Sequence, residues 1–482
     1  MILTLAQPGW VISYPGDAIY SEGGNPVYAD AGGQGNDALS QGNGGGSTED
    51  PADRTASNNG SDKAVSDNET DRSVPGSGTD KTAPDNEANK DASNNSEDKT
   101  SSPGSDPAGT AKGASADAYV ARVSDDGTNW TYFELLIDGT DPGTNPVVPG
   151  AFSYANTLAG DVVVELLKDS DTAYTLSQSF TFSGSGISSL ILRSTSASGT
   201  SALVKNQTAG AMIITSGIDS FTIENITFNG ANKVSANVHG GAVNTNALTF
   251  TLTDCTFLNC QAGRMGGGVY HDNLSGTAVV SGCTFDACRA NGPDEANGGG
   301  GGGLFSNAFE LTVEDCEFTG CTTNRRQGAA LYHKRGASDA DHSSATIENC
   351  VFTDCVAYHG CAAESDAWHV TVTDCVFERC GGTGSGNGGA LNIWADGADN
   401  SADATTLSIS GCTFTDCSTY TNGGAVRSTA VTNEFADGTF TNCVSNVKAQ
   451  NPSNYNGGGA VACTNSRAGA VFTNCDLADC EA

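Results

Sequence analysis

The amino-acid sequence predicts an all-β fold, a parallel β-helix preceded by a disordered N-terminal stalk. Three observations carry that prediction. One motif, Cys-x-Phe-x-x-Cys, recurs eight times between Cys255 and Cys480, counting a copy headed by Gly438 and a last copy with Leu for Phe. Apolar and turn-forming residues stand at fixed offsets from it in every copy. Residues 30–116 contain no aromatic residue at all.

The first 29 residues open with Met1-Ile2-Leu3-Thr4-Leu5-Ala6, apolar but too short for a signal h-region and without a basic start. They read either as the remnant of a signal peptide ending near Val27-Tyr28-Ala29 or as a disordered terminus. Residues 30–116 are rich in Gly, Ser, Asn, Asp and Pro and cannot bury enough apolar surface to fold. A nine-residue repeat runs through them, visible at Ser61-Asp62-Lys63, Thr70-Asp71-Arg72 and Thr79-Asp80-Lys81. The regular acid–base doublets predict a solvated acidic linker; the Gly-Gly-x-Gly-x-Asp pattern of a calcium-binding coil does not occur. Between 117 and 218 strand-like runs appear, such as Asp161 to Leu167 and Ser189 to Leu192. Ala151 to Leu158 reads as a short amphipathic helix, the candidate cap over the first irregular coils, because an open β-helix end exposes strand edges. Residues 219–482 hold the repeats. They stop directly after a motif at Cys480-Glu481-Ala482, so the expectation is a fragment truncated at its C-terminus.

The motif heads are Cys255, Cys283, Cys316, Cys350, Cys375, Cys412, Gly438 and Cys475. From the first to the last is 220 residues over seven intervals, roughly 31 each, a period of stacked supersecondary units. Three residues before each head stand Leu252, Val280, Val313, Ile347, Val372, Ile409, Phe435 and Phe472, the kinds that strand interiors prefer. The residue just before each head is Asp, Asn or Gly, the types that tolerate positive φ, which predicts a corner. Two residues after it come Phe257, Phe285, Phe318, Phe352, Phe377, Phe414, Phe440 and finally Leu477, on the same strand face as the Cys. Each unit is therefore expected to be strand, bend, short strand, turn, Gly-rich crossing and third strand, with Phe stacked on Phe and Cys on Cys. Helical solenoids need apolar residues at i, i+3, i+4 and i+7 over ten or more positions, and no such run occurs after residue 219. A propeller blade needs about 40 residues, whereas Cys350 to Cys375 is a step of 25.

Gly240-Gly241-Ala242-Val243, Gly388-Gly389-Ala390-Leu391, Gly423-Gly424-Ala425-Val426 and Gly458-Gly459-Ala460-Val461 complete the unit. This element resembles the Gly-Gly-Ala-aliphatic element of chlamydial polymorphic outer-membrane proteins and related bacterial adhesin-like repeats, over about residues 219–482. The companion Phe-x-x-Asn element of that family is Phe-x-x-Cys here in seven copies. The resemblance implies a right-handed, single-stranded parallel β-helix of pectin-lyase-like fold and a surface-exposed adhesive or passenger role.

Seventeen cysteines invite a chemical reading. The second members of the motif are Cys260, Cys288, Cys321, Cys355, Cys380, Cys417, Cys443 and Cys480; Cys361 and Cys463 lie outside it. Zinc sites want closer Cys-x2-Cys spacing and four converging ligands, so no metal and no cofactor is expected. Cys stacked on neighbouring coils would bring Cα atoms near 4.8 Å, within disulfide range, but parallel side chains do not easily reach the S–S dihedral. Packed reduced thiols are the other reading, suited to export into an anaerobic setting.

A formal charge of −34 excludes nucleic acid and anionic membrane as partners, and no stretch is long and apolar enough to insert in a bilayer. The expectation is a secreted or cell-surface rod with adhesin-like binding and no catalysis, its partners glycans or host or cell-surface proteins. Trp368 and Trp394, near Asp366 and Asp396, are the candidate ligand contacts, able to stack on a sugar ring. Variable loops such as 334–344 and 395–404 are the expected place of recognition. One alternative is a polysaccharide lyase or glycoside hydrolase of pectin-lyase-like fold, for which Arg325-Arg326, Glu364, Asp366 and His369 are the fragments present; Gly-His-Gly and Arg-Ile-Lys signatures are absent. Another is a structural cell-envelope protein.

Overall fold

The structure, a computed structural model, describes residues 118–482 apart from short segments, the longest being 141–146, 293–298, 335–341, 396–403 and 447–456, together with three two-residue strands before residue 28. The acidic linker of 30–116 and its nine-residue repeat lie outside the described residues, as do Arg325, Arg326 and Asp396.

From Ser220 onward the chain winds through nine coils of a parallel β-solenoid. In a full coil a five-residue strand (Thr249–Thr253, for example) lies on a long face and a three-residue strand (Thr256–Leu258) on a Phe face. A two-residue strand (Gln261–Ala262) then makes a short face, and the glycine-rich crossing leads to a three-residue strand (Val269–His271) on a fourth face. Every strand pairs in parallel with its counterparts one coil away. The sequence reading of three strands per unit is thus corrected to four. The extra one exists because each coil has a second corner, just before the second Cys. Asn259, Ala287, Asp354, Arg379, Asp416, Asn442 and Asp479 all have φ near +50°, as does Gly320. The expected first corner is present in all eight copies, from Asp254 (φ 51°) to Asn474 (φ 52°). The first glycine of the Gly-Gly-Ala element is a third such point, with φ +71° at Gly240 and +69° at Gly423.

At the N-terminal end the helix is shorter than expected, Ala151–Ala155, and buries Phe152 against Phe180 and Phe182 at centroid distances of 5.1 Å. A hairpin of Ala121–Ser124 and Thr131–Phe133 pairs antiparallel with the edge strand Gly160–Leu166, so that edge does not stand open. Glu165, 1 % exposed, binds the hairpin to the coils: Arg122 Nε donates to it at 2.5 Å and Arg193 Nη2 at 2.6 Å. A buried carboxylate is tolerated here because two guanidinium groups face it.

Inside, like stacks on like. Successive rings from Phe228 to Phe440 stand 4.6–5.0 Å apart and within 7° of parallel. That is the strand spacing itself, so backbone pairing imposes the ring spacing. Leu252 to Phe435 on the long face are buried as expected, and Phe472 is half-buried. All seventeen thiols are unbridged. They do more than fill corners. Cys283 Sγ lies 3.2 Å from the Ser281 carbonyl, to which it donates, and accepts the Cys255 N–H at 3.5 Å. In the second column Cys288 Sγ donates to the Phe257 carbonyl at 3.4 Å. In the first column the thiols thus accept backbone N–H groups at the bend, Cys283 that of Cys255 and Cys316 that of Cys283. Burial pushes the thiols of Cys283, Cys288, Cys355 and Cys417 up, which keeps them protonated donors.

Stacking at this spacing would be unfavourable for charge, and the corners avoid it. The first corner reads Asp254, Gly282, Asp315, Asn349, Asp374, Gly411, Asp437, Asn474, a carboxylate on every other coil. Asn349 Nδ2 donates to Asp315 Oδ1 at 2.5 Å and Asn474 Nδ2 to Asp437 Oδ1 at 3.2 Å. In the second corner Arg379 forks onto Asp354 at 2.7 and 3.0 Å, and Asn442 Nδ2 donates to Asp416 Oδ1 at 2.6 Å. Asn349→Asp would line up three carboxylates on consecutive coils; it is expected to cost about 1 kcal/mol, less at high salt, in thermal or urea unfolding.

One of the two inward columns of the fourth face is mostly polar and includes two histidines. His271 Nε2 meets the Ala247 carbonyl at 2.9 Å and its Nδ1 the Ser306 hydroxyl at 3.1 Å; His333 repeats this with Ala308 and Ser365 at the same distances. A carbonyl requires Nε2–H, and in the neutral ring Nδ1 then accepts from the hydroxyl. Burial lowers both, His333 to about 4. A folded value below the unfolded one of about 6.5 means that the unfolded chain binds more protons in between, so this stability is complete above about 6.5 and is lost as pH falls towards 4. Urea midpoints should therefore drop between about pH 7 and about pH 5, above the carboxylate range, and His333→Asn should flatten the drop.

Candidate functional site

On most faces burial alternates along each strand, but on the fourth face all three residues are buried from Val269–His271 to Val426–Ser428. The middle, outward-pointing residue is therefore covered too. Strand register lines these residues up along the solenoid axis as Tyr270, Phe305, Tyr332, Glu364, Asn392 and Arg427. The glycine-rich crossing is part of the cover: a Cβ on Gly300 would run into the Tyr332 ring.

The row changes chemistry along its length. At one end His239 stacks on Tyr270 at 4.2 Å, Tyr270 on Phe305 at 5.0 Å, and Phe305 meets Tyr332 edge-on at 5.4 Å. The Tyr270 hydroxyl donates to Asp272 Oδ2 at 2.9 Å; burial first, then that carboxylate, pushes the phenol up. Burial and Arg264 lower His239 to about 4. At the other end Arg427 Nη1 donates to Asn392 Oδ1 at 3.2 Å, and its guanidinium lies 4.4 Å over the Trp394 ring. Cys361 Sγ sits 3.8 Å from Glu364 Oε2, its thiol pushed up by burial and by that carboxylate. A second outward row lies two residues on: Asp272, Asn307, Lys334, Asp366, Trp394 and Thr429.

The fragments singled out in the sequence divide between faces. Glu364 and Asp366 share the outward side, two residues apart and thus about 7 Å along the strand direction. Trp394 joins them one coil on. Trp368 stands at the bend into the long face, its ring 4.8 Å from His342, and His369 opens the long-face strand with Nδ1 3.0 Å from the Thr406 hydroxyl. The two tryptophans therefore do not form one platform. Among the described residues no three His, Cys, Asp or Glu side chains are placed to hold a metal ion, and no helix is long and apolar enough to cross a membrane.

Sequence reasoning missed Tyr270, Phe305, Tyr332, Asn392 and Arg427. The signal was present, since each follows the aliphatic residue that closes the crossing, but the column does not repeat in type. No family model and no curated protein matches the chain.

Arg427 packs flat on Trp394 while hydrogen-bonding Asn392, which an ammonium cannot reproduce. Arg427→Lys is expected to lower stability by about 1–2 kcal/mol in chemical denaturation followed by tryptophan fluorescence.

Proposed function

We propose that this chain is an adhesin-like binding rod, secreted or displayed at a cell surface, that recognises glycans or cell-surface proteins. The observation that carries the reading is the contrast between its two sides. Inward, the Phe and thiol columns keep one residue type over many coils, while the exposed row that follows the short-face strand runs Asn324, Tyr358, Thr383, Tyr420 and Asn446. A rigid repeat with a variable exterior is suited to many weak contacts spread along its length. The Gly-Gly-Ala element adds support through its likeness to polymorphic outer-membrane and other adhesin-like repeats.

A second reading, glycoside hydrolysis, is favoured by one specific feature. Glu364 and Asp366 lie two residues apart on one outward side, which places two carboxylates next to each other. In that reading the two would divide the acid and base roles between them.

The test is a glycan array probed with the full chain, with depolymerisation of the same glycans followed in parallel. The adhesin reading expects binding without new reducing or unsaturated ends. New reducing ends that disappear in Glu364→Gln and Asp366→Asn would replace it with the hydrolase reading.

A further inference from the structure

Resting on the adhesin-like reading, we infer that the tyrosines Tyr358 and Tyr420 are stacking platforms for an extended, neutral β-1,4-linked glycan lying along the solenoid axis. Both side chains are exposed, Tyr358 46 % and Tyr420 40 %, whereas most other aromatic residues among the described residues of the coils are buried. Both occupy the same position, the residue directly after the short-face strand. The coil between them places Thr383 there, after Gly381–Gly382. Small residues thus separate the two rings by a notch one coil wide.

Backbone pairing links parts of the row: Thr383 N–H donates to the Ala357 carbonyl at 3.0 Å and Asn446 N–H to the Thr419 carbonyl at 2.7 Å. Its flanks are amides: Asn291 and Asn324 precede Tyr358, linked by a 3.2 Å side-chain hydrogen bond, and Asn446 follows Tyr420. Amides both donate and accept, as sugar hydroxyls do.

Spacing and charge select the ligand. Two coils span about 9.6 Å. Alternate rings of an extended β-1,4-linked chain present the same face at that spacing, so two of them can rest on the two tyrosines while the ring between them passes over Thr383. Aromatic faces stack on sugar rings irrespective of the sugar's hydroxyl pattern, whereas the chain's net charge of −34 repels polyanions. A neutral glycan satisfies both conditions.

The experiment measures binding of cello-, chito- and xylo-oligosaccharides to the full chain by calorimetry, with polygalacturonate oligomers for contrast. Affinity should rise steeply from disaccharide to trisaccharide, the shortest length reaching both rings. Tyr358→Ala and Tyr420→Ala should each weaken the trisaccharide about tenfold, Tyr→Phe at either position should restore it, and Tyr132→Ala, equally exposed but remote in the sequence, should leave it unchanged. Equal binding by wild type and both Ala variants, or binding to other glycans on the array but to none of these neutral chains, would overturn the inference and leave the adhesin-like reading standing. No glycan binding at all would remove the inference and leave cell-surface proteins as the ligands of the adhesin-like reading.

Discussion

Everything in this fold depends on one constraint: adjacent coils pair backbone to backbone, so each side chain lies one strand spacing from its counterpart above and below. Apolar residues benefit from that constraint, since a flat ring or a thiol packs well on a copy of itself. The Phe column, with rings 4.6–5.0 Å apart, and the two thiol columns are its direct products. Charged residues are penalised by the same spacing. Both corners answer with carboxylates separated by Gly, Ala, Asn or Arg, which accept a hydrogen bond, supply one, or leave room. The histidines of the interior obey a related rule: each stands between hydroxyl-bearing residues rather than on another histidine.

The parts of the fold legible in the sequence are those where the constraint forces repetition. The Leu252-to-Phe472 column, the first corner, the Phe column and the Gly-Gly-Ala crossing could all be aligned without coordinates, and stacking followed from the period. The second corner was equally written, as Asn259, Asp354, Asp416, Asn442 and Asp479, but Ala287 and Arg379 in the same column hid it. Those two residues adopt positive φ because the coils on either side hold them there, a tertiary effect that local preference does not announce. The polar interior of the fourth face was hidden for a different reason. Its histidines alternate with Ser from coil to coil, so the pattern emerges only once register is known.

The outward rows were the least legible, because nothing compels an outward residue to match its neighbour. Glu364 and Asp366 were recognised as neighbours in sequence, but their shared side, and their distance from His369 around the coil, are consequences of strand direction. Trp368 and Trp394 were each read beside an acid, Asp366 and Asp396; Trp368 stands at the bend into the long face, and Asp396 lies outside the described residues. Where the interior is fixed and the exterior free, recognition can change by substitution without disturbing the stack. That freedom is the physical basis of the binding-rod reading, with the exposed short-face row as the specialised surface.

The most direct test of the stacked interior is pulsed alkylation of the native chain, with mass spectrometry locating each label. Cys463, Cys475 and Cys480, which are only half-buried, should react first, while the other fourteen thiols stay protected until unfolding. Even labelling of all seventeen under native conditions, or oxidised pairs within a column, would contradict the account.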